Sequence, residues 1–335
     1  MNKGGCSMGQ RVVYARKTIW GLFKILALLF AVTGGAFMLV LFSPNDPVES
    51  FLSKGVTTER RAVIERAWGL DRPPIERYII WVDHASHGDL GESIVYSQPV
   101  KTVIGTRMKA TLALLGSAWV ISGVLGFVLG VFSGVYRGSF LDTCIKRFCL
   151  ILASAPVFWL GLMAVMLFAV QLKLFPMGLA SPAGKVSAEV TIGEYLYHLI
   201  LPAFTLGLSG ISKIALTTRA KMIDIIDSNY MNFARARGET LWETVRNHGL
   251  RNVILPSLTV QFNSFNEIFS GSVLAEQVFS YPGLGQAATT AGLNGDANLL
   301  LGVTLVSTIF VVCGNLIADS LYGLFDPQMK GGKNG

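Results

Sequence analysis

The sequence is poor in charge: only 15% of its 335 residues are Asp, Glu, Lys or Arg, whereas 51% are hydrophobic. A soluble domain of this length needs far more charged surface, so the composition excludes a soluble globular protein. The formal net charge of +7 does not indicate nucleic-acid binding, because the basic residues occur in short loops between apolar segments and form no single patch. The composition is that of a polytopic membrane protein.

Cysteine and histidine are scarce as well. The four cysteines, Cys6, Cys144, Cys149 and Cys313, show neither paired nor metal-ligand spacing, so we expect no disulfide and no metal site from them. The sequence places two histidines, His84 and His87, three residues apart, but two ligands do not make a metal site.

Catalytic signatures are also missing. The nearest approach to a phosphate-binding loop, residues 178–186, has five residues between its glycines where four are needed, and Val186 replaces the required Ser or Thr. The apolar segments contain no histidine and no paired nucleophile and base. We therefore predict a non-catalytic chain that binds no cofactor itself.

Long apolar runs dominate what is present. We predict an all-α protein with about six transmembrane helices, at about residues 19–42, 109–135, 148–170, 199–218, 256–278 and 299–325. The predicted organisation is a tail at 1–18, a first transmembrane helix at 19–42, a long extracytoplasmic segment at 43–107, a core of five transmembrane helices at 108–325 and a tail at 326–335. Residues 279–298 are too rich in Gly and Pro for a span and are predicted to be a re-entrant segment or an outer loop. Proline at position 156 should kink the third span.

The loop charges orient the chain. Fifteen Lys and Arg residues lie in the two tails and in the loops on their side, against only Lys173 and Lys185 in the two short opposite loops. The positive-inside rule therefore places both termini in the cytoplasm, together with a polar region at 219–255.

That cytoplasmic region contains a segment from Tyr230 to Pro256 in which Gly238 separates two stretches with helical spacing. Leu241, Trp242 and Val245 form an apolar stripe beside several arginines. A helix–Gly–helix elbow with an apolar and a basic face is suited to docking in the groove of a cytoplasmic partner. A basic loop that only fixes orientation explains the composition equally well.

The run ARARG, followed by LRNVILP, resembles the coupling motif of binding-protein-dependent ABC importer permeases, in the dipeptide, oligopeptide and nickel branch. The acidic residue that opens the general motif is absent, and Asn232 or Phe233 stands near its place. Six further segments are similar to this branch in the same order: WGLDRPPIERY, GDLGESIVYSQPV, YRGSFLDTCIKR, APVFWLG, AEQVFSYPGLG and NLIADSLYGLFDP. By this resemblance the ATPase-coupling residues are Ala234, Arg235, Ala236, Gly238, Leu241, Trp242, Val245, Arg251 and Pro256.

The resemblance implies the architecture of a type I ABC importer permease. Its partners would be a second homologous permease subunit, two ATPase subunits that bind ATP and Mg²⁺, an extracytoplasmic solute-binding protein and membrane lipid. Dipeptides, longer peptides, nickel and metal chelates all remain open as cargo.

Polar residues inside the predicted spans indicate a translocation path. We assign to it Asn263, Asn266, Glu267, Ser270, Thr308 and Asn315. The small polar residues are equally suited to holding helices together, but a mid-span carboxylate at Glu267 favours a pore or subunit interface. Its candidate partner is Lys213. In the family the VFSYPGLG motif shapes the outer mouth, which assigns Glu276, Pro282, Gly283 and Gly285 to that loop.

One alternative function is an ion-coupled secondary transporter that uses Glu267 as its proton site. Such transporters usually contain internal repeats. The sequence shows no repeat, and the basic elbow would be unexplained.

Overall fold

The structure, a computed structural model, describes residues 8–43, 48, 58–182, 184–185 and 189–325. The predicted tail at 326–335, and parts of the predicted segments 1–18 and 43–107, lie outside these residues. The elements in the first part of the chain are α1 (Met8–Leu41), α2 (Thr58–Ala67), α3 (Pro74–Ser86), β1 (Glu92–Ser93), β2 (Gln98–Pro99), α4 (Val100–Val135), α5 (Phe140–Ser154) and α6 (Val157–Ala164), which continues as a π-helix over Val165–Gln171. Those in the second part are α7 (Ile192–Ile226), α8 (Asn229–Ala236), α9 (Leu241–Thr244) with a π-helix over Val245–Gly249, α10 (Leu250–Asn263), α11 (Phe265–Val278), α12 (Leu284–Leu293) and α13 (Ala297–Phe325).

Among the described residues, four helical stretches are long and apolar enough to cross a membrane: Trp20–Leu41, Val100–Val135, Ile192–Ile226 and Ala297–Ala318. The bent pair of α5 and α6 makes a fifth if it counts as one span. These correspond to five of the six predicted spans. The second one starts earlier than expected, since α4 begins at Val100, where Val100, Val103 and Ile104 are buried.

The kink predicted at Pro156 is present and large. Helices α5 and α6 meet at an angle of 110°. Ala155 and Pro156 are both extended, with ψ of 128° and 142°. Proline has no N–H to donate and pushes the residue before it out of the helical region, which accounts for a break at this point.

The helix predicted at 256–278 is interrupted at one residue. The chain there forms two 14-residue helices, α10 and α11, which meet at Ser264, and α10 begins six residues before Pro256. At the break, the Gln261 carbonyl accepts hydrogen bonds from the Trp119 indole at 3.2 Å and from the Ser264 hydroxyl at 2.8 Å. A contact from a distant helix and a local serine therefore accompany the interruption, and neither is visible in hydrophobic periodicity.

The chain divides into two compact units. The first consists of Met1–Gly105 with Ala287–Cys313. In its core, α1 packs on α3 through Phe37 and Trp81, and the Thr33 hydroxyl lies 2.8 Å from the Tyr78 hydroxyl. The buried Asp296 carboxylate accepts from the Ser93 hydroxyl at 2.6 Å and so ties the β-hairpin to the start of α13.

The second unit consists of Thr106–Gln286 with Gly314–Gly335 and is built around α7, which packs against α5, α6, α10 and α11. Helix α4 also approaches α7 closely. A Cβ at Gly130 would overlap Thr218 and the Ala215 carbonyl, so only glycine permits this approach. Small residues that let helix backbones meet are the usual device for packing inside a membrane, where burial from water supplies little attraction.

Candidate functional site

The elbow from Tyr230 to Pro256 has the helix–Gly–helix form that the sequence predicts. Helix α8 ends at Ala236, and Gly238 follows with φ of +96°, a backbone conformation that side chains with a Cβ rarely adopt. The next helix begins with a reciprocal cap in which the Thr240 side chain accepts from the Glu243 N–H and the Glu243 carboxylate accepts from the Thr240 N–H and hydroxyl. These hydrogen bonds to its charged form lower the pKa of Glu243.

The apolar face of the segment is turned toward its own protein. Val245 is fully buried and Ala234 is 7% exposed, while Leu241 packs at the edge of the same core. The buried members of this core are Val131, Val135, Met222, Met231, Val245 and Val253. The stripe predicted to dock on a partner therefore packs the elbow against the C-terminal ends of α4 and α7.

Trp242 fixes the segment to α4 from outside this core. Its indole N–H donates to the Tyr136 hydroxyl at 3.1 Å, and its ring meets Phe132 edge-on with centroids 5.5 Å apart. The side chain remains 40% exposed. Trp242 therefore both attaches the elbow to α4 and forms part of the exposed surface.

The surface that the segment presents outward is basic. The exposed arginines are Arg235, Arg237, Arg246 and Arg251, and the exposed Phe233 and Ala236 lie among them. Phe233 is 67% exposed, the most exposed large hydrophobic side chain of α8. Pro256 is half-buried within α10. Of the predicted coupling residues, Arg235, Ala236, Gly238, Trp242 and Arg251 are exposed and available to a partner.

A carboxylate that the sequence analysis did not single out joins the three helices beneath the elbow. Asp142, in the first turn of α5, is fully buried and forms two hydrogen bonds with Arg219 of α7, at 2.7 and 2.8 Å. It also accepts from the Ser133 hydroxyl at 2.6 Å and from the Gly138 N–H at 2.9 Å. The available signal was a lone acid in the otherwise basic turn between the second and third spans.

Glu267 of the predicted path forms an ion pair with Lys213, the partner that the sequence predicts. Lys213 Nζ lies 2.6 Å from Glu267 Oε1, and the two side chains are 47% and 60% exposed. Asn263 of α10 and Asn266 and Ser270 of α11 are exposed as well. These residues form a polar stripe on α10 and α11, which we call the 263–270 stripe.

The remaining predicted path residues lie on α13. Thr308 belongs to the first unit and donates its hydroxyl hydrogen to the Thr304 carbonyl at 2.7 Å. Asn315 belongs to the second unit and is half-buried. Their place in a path remains a prediction.

The loop predicted to form the outer mouth, called the outer loop below, is organised around Glu276. This buried carboxylate accepts from the Thr111 hydroxyl at 2.7 Å, from the Gly285 N–H at 2.7 Å and from the Gln286 N–H at 3.1 Å. A Cβ at Gly283 would overlap the carboxylate, and Pro282 precedes it at the turn. The acid therefore holds the loop that leads into α12, and its hydrogen bonds are used inside the protein.

Comparison with known proteins identifies what kind of membrane protein this is. Residues 126–331 match the family described as "Binding-protein-dependent transport system inner membrane component". The chain belongs to this family. The permease is 31% identical over 304 residues to the oligopeptide transport system permease protein AppB of Bacillus subtilis, covering 90% of this chain and 95% of that protein.

Other relatives agree. The di/tripeptide transport system permease protein DppB of Pseudomonas aeruginosa is 33% identical over 318 residues, which covers 90% of the permease and 94% of DppB. A putative peptide transport system permease protein of Brucella abortus is 34% identical over 294 residues, covering 88% and 92%. The resemblance to the peptide branch of ABC importer permeases is confirmed.

A solved structure supports the fold. The permease superposes with a TM-score of 0.54 on a chain of the methionine ABC transporter MetNI in an inward-facing conformation, at 17% identity, covering 68% of the permease and 97% of that chain. At this identity the likeness shows the fold alone. The permease is a multi-pass membrane protein of the type I ABC importer architecture.

Proposed function

We propose that this permease forms half of the translocation path of an ABC importer for peptides and is driven by ATPase subunits that bind its elbow. A second homologous permease would complete the path, and an extracytoplasmic solute-binding protein would deliver the cargo. ATP and Mg²⁺ would be bound by the ATPase subunits alone.

The observation that carries this proposal is the way the elbow is mounted. Its apolar residues are buried in a core that it shares with α4 and α7, while its arginines are exposed. A force applied to the basic face would pass through Val245 and Met222 to α7, which also carries Lys213 of the candidate path. A loop that only fixed membrane orientation would need no such core.

Peptides are the preferred cargo because the relatives above are named as oligopeptide, di/tripeptide or peptide permeases. Each was matched along most of its length. The same comparisons favour an ABC importer over the ion-coupled secondary transporter, since the family match over residues 126–331 includes the elbow.

Charge reversal on the basic face tests the proposal. Arg235→Glu with Arg246→Glu should abolish co-purification of the ATPase subunits with the tagged permease and stop peptide uptake by cells, because both side chains are exposed and replaced by the opposite sign. Arg72→Glu, an exposed arginine of the predicted extracytoplasmic segment, is the matched control and should retain both. Unchanged ATPase binding in the double variant would contradict the proposed role of the elbow.

A further inference from the structure

The Lys213–Glu267 ion pair lies on an exposed face shared by α11 and by α7, a helix long and apolar enough to cross a membrane. Lys213 is in the middle of α7, Glu267 is in the first turn of α11, and neither side chain is covered by the rest of the described chain. Beside them runs the 263–270 stripe, whose asparagines and serine are exposed as well.

This face is unsuited to lipid. A single charged side chain at the centre of a span costs about 2.5–3.5 kcal/mol on insertion scales, so such residues normally face a protein neighbour or a water-filled cavity. The charges and the amides therefore share one exposed face.

Resting on the proposed function, we infer that Lys213 and Glu267 bind the two termini of a peptide on its way through the permease. The Lys213 ammonium would donate to the peptide carboxylate, and the Glu267 carboxylate would accept from the peptide ammonium. The exposed amides of Asn263 and Asn266 would hydrogen-bond the peptide backbone.

The charge balance of the site explains why a pair is useful. With no cargo, the lysine and glutamate neutralise each other at 2.6 Å. When a zwitterionic peptide enters, one ion pair is exchanged for two, and the total charge in the membrane stays at zero. Free termini are the features that peptides of every sequence share, so a site for termini suits a carrier of varied peptides.

The inference is tested by combining permease variants that lack one charge with peptide derivatives that lack one charge. The probes are dialanine, its C-terminal amide and its N-acetyl form, each supplied at concentrations that saturate the solute-binding protein of the reconstituted complex. Lys213→Met should lower dialanine uptake about tenfold, as expected for the loss of one charge-assisted hydrogen bond, and leave uptake of the amide at its parental rate. Glu267→Gln should likewise lower dialanine uptake about tenfold and leave uptake of the N-acetyl form at its parental rate.

The matched control is another exposed ion pair of similar length, Lys185 with Glu194, which lies outside the 263–270 stripe. Lys185→Met and Glu194→Gln should leave the rates of all three probes unchanged. If Lys213→Met instead lowers uptake of dialanine and its amide by the same factor, the pair serves the second permease or the fold, and the inference is overturned.

A second measurement dispenses with the binding protein. In Ser270→Cys, with the other accessible cysteines replaced by serine, millimolar dialanine should slow modification by a small water-soluble thiol reagent, and Lys213→Met should remove that protection. Equal protection by dialanine and its amide in the Ser270→Cys protein that retains Lys213 would contradict recognition of the peptide termini. Failure of the parental complex to take up any peptide would instead refute the proposed function, so the two failures are distinguishable.

Discussion

Replacing Asp142 with asparagine removes the charge of a buried carboxylate while keeping its shape. The residue joins α5 to Ser133 of α4 and to Arg219 of α7 directly beneath the elbow. An asparagine oxygen can still accept from Ser133 or from the Gly138 N–H. Its amide group, however, would place a donor against the guanidinium of Arg219, so the two hydrogen bonds of that pair cannot both survive.

The size of the effect follows from burial. Breaking a buried ion pair by removing one partner costs about 3–5 kcal/mol, because the remaining charge is left without compensation. Asp142 is fully buried, but the Arg219 side chain is 20% exposed and keeps some hydration. The lower end applies, and we expect a loss of about 3 kcal/mol in the free energy of unfolding, roughly a 100-fold change in the folding equilibrium.

Denaturant titration of the permease in detergent micelles measures this loss. The control is Asp227→Asn, which removes the partner of Arg137 from an ion pair at 2.8 Å whose side chains are 59% and 63% exposed. Exposed pairs contribute about 0–1 kcal/mol, so this variant should be nearly neutral. A loss below about 1 kcal/mol for Asp142→Asn, or equal losses in the two variants, would refute the assignment of Asp142 as the buried anchor of the three helices.

Two glycine substitutions probe the elbow and the outer loop. Gly238→Val forces a β-branched residue to positive φ at a cost of at least about 1–2 kcal/mol, so the protein should reach the membrane but bind less ATPase in pull-downs. The control is Gly21→Val, at a helical position with open space around it, which should bind ATPase normally. Equal binding by the two variants would count against the elbow. Gly283→Ala places a methyl group against the Glu276 carboxylate and disturbs its buried hydrogen bonds, so it should lower the free energy of unfolding by about 1–3 kcal/mol. Gly292→Ala, which has open space around it, should not lower it. Comparable stability of the two variants would contradict the packing described for the loop.

Local features of the chain were predictable from sequence. The elbow at Gly238 and the bend at Pro156 depend on backbone restrictions of single residues, and both are found where the sequence places them. The apolar runs located five of the six predicted spans, because long hydrophobic stretches identify membrane helices well.

Features that depend on distant contacts were not predictable. The break at Ser264 accompanies a hydrogen bond from Trp119, about 140 positions away in the chain, and the anchor at Asp142 requires Arg219 to lie against it. The stripe around Val245 shows the same limit. Its helical spacing predicts an apolar face, but periodicity cannot tell a face that meets a partner from one that is buried in the same protein.

Uptake of a labelled peptide into proteoliposomes distinguishes an ATP-driven importer from an ion-coupled transporter. The vesicles would contain this permease with its second permease and ATPase subunits, with ATP inside and the peptide-loaded solute-binding protein outside. We expect uptake that requires ATP and the ATPase subunits and does not respond to a proton gradient. Uptake by the permease without ATPase subunits, driven by a proton gradient and lost in Glu267→Gln, would contradict this expectation and establish an ion-coupled transporter.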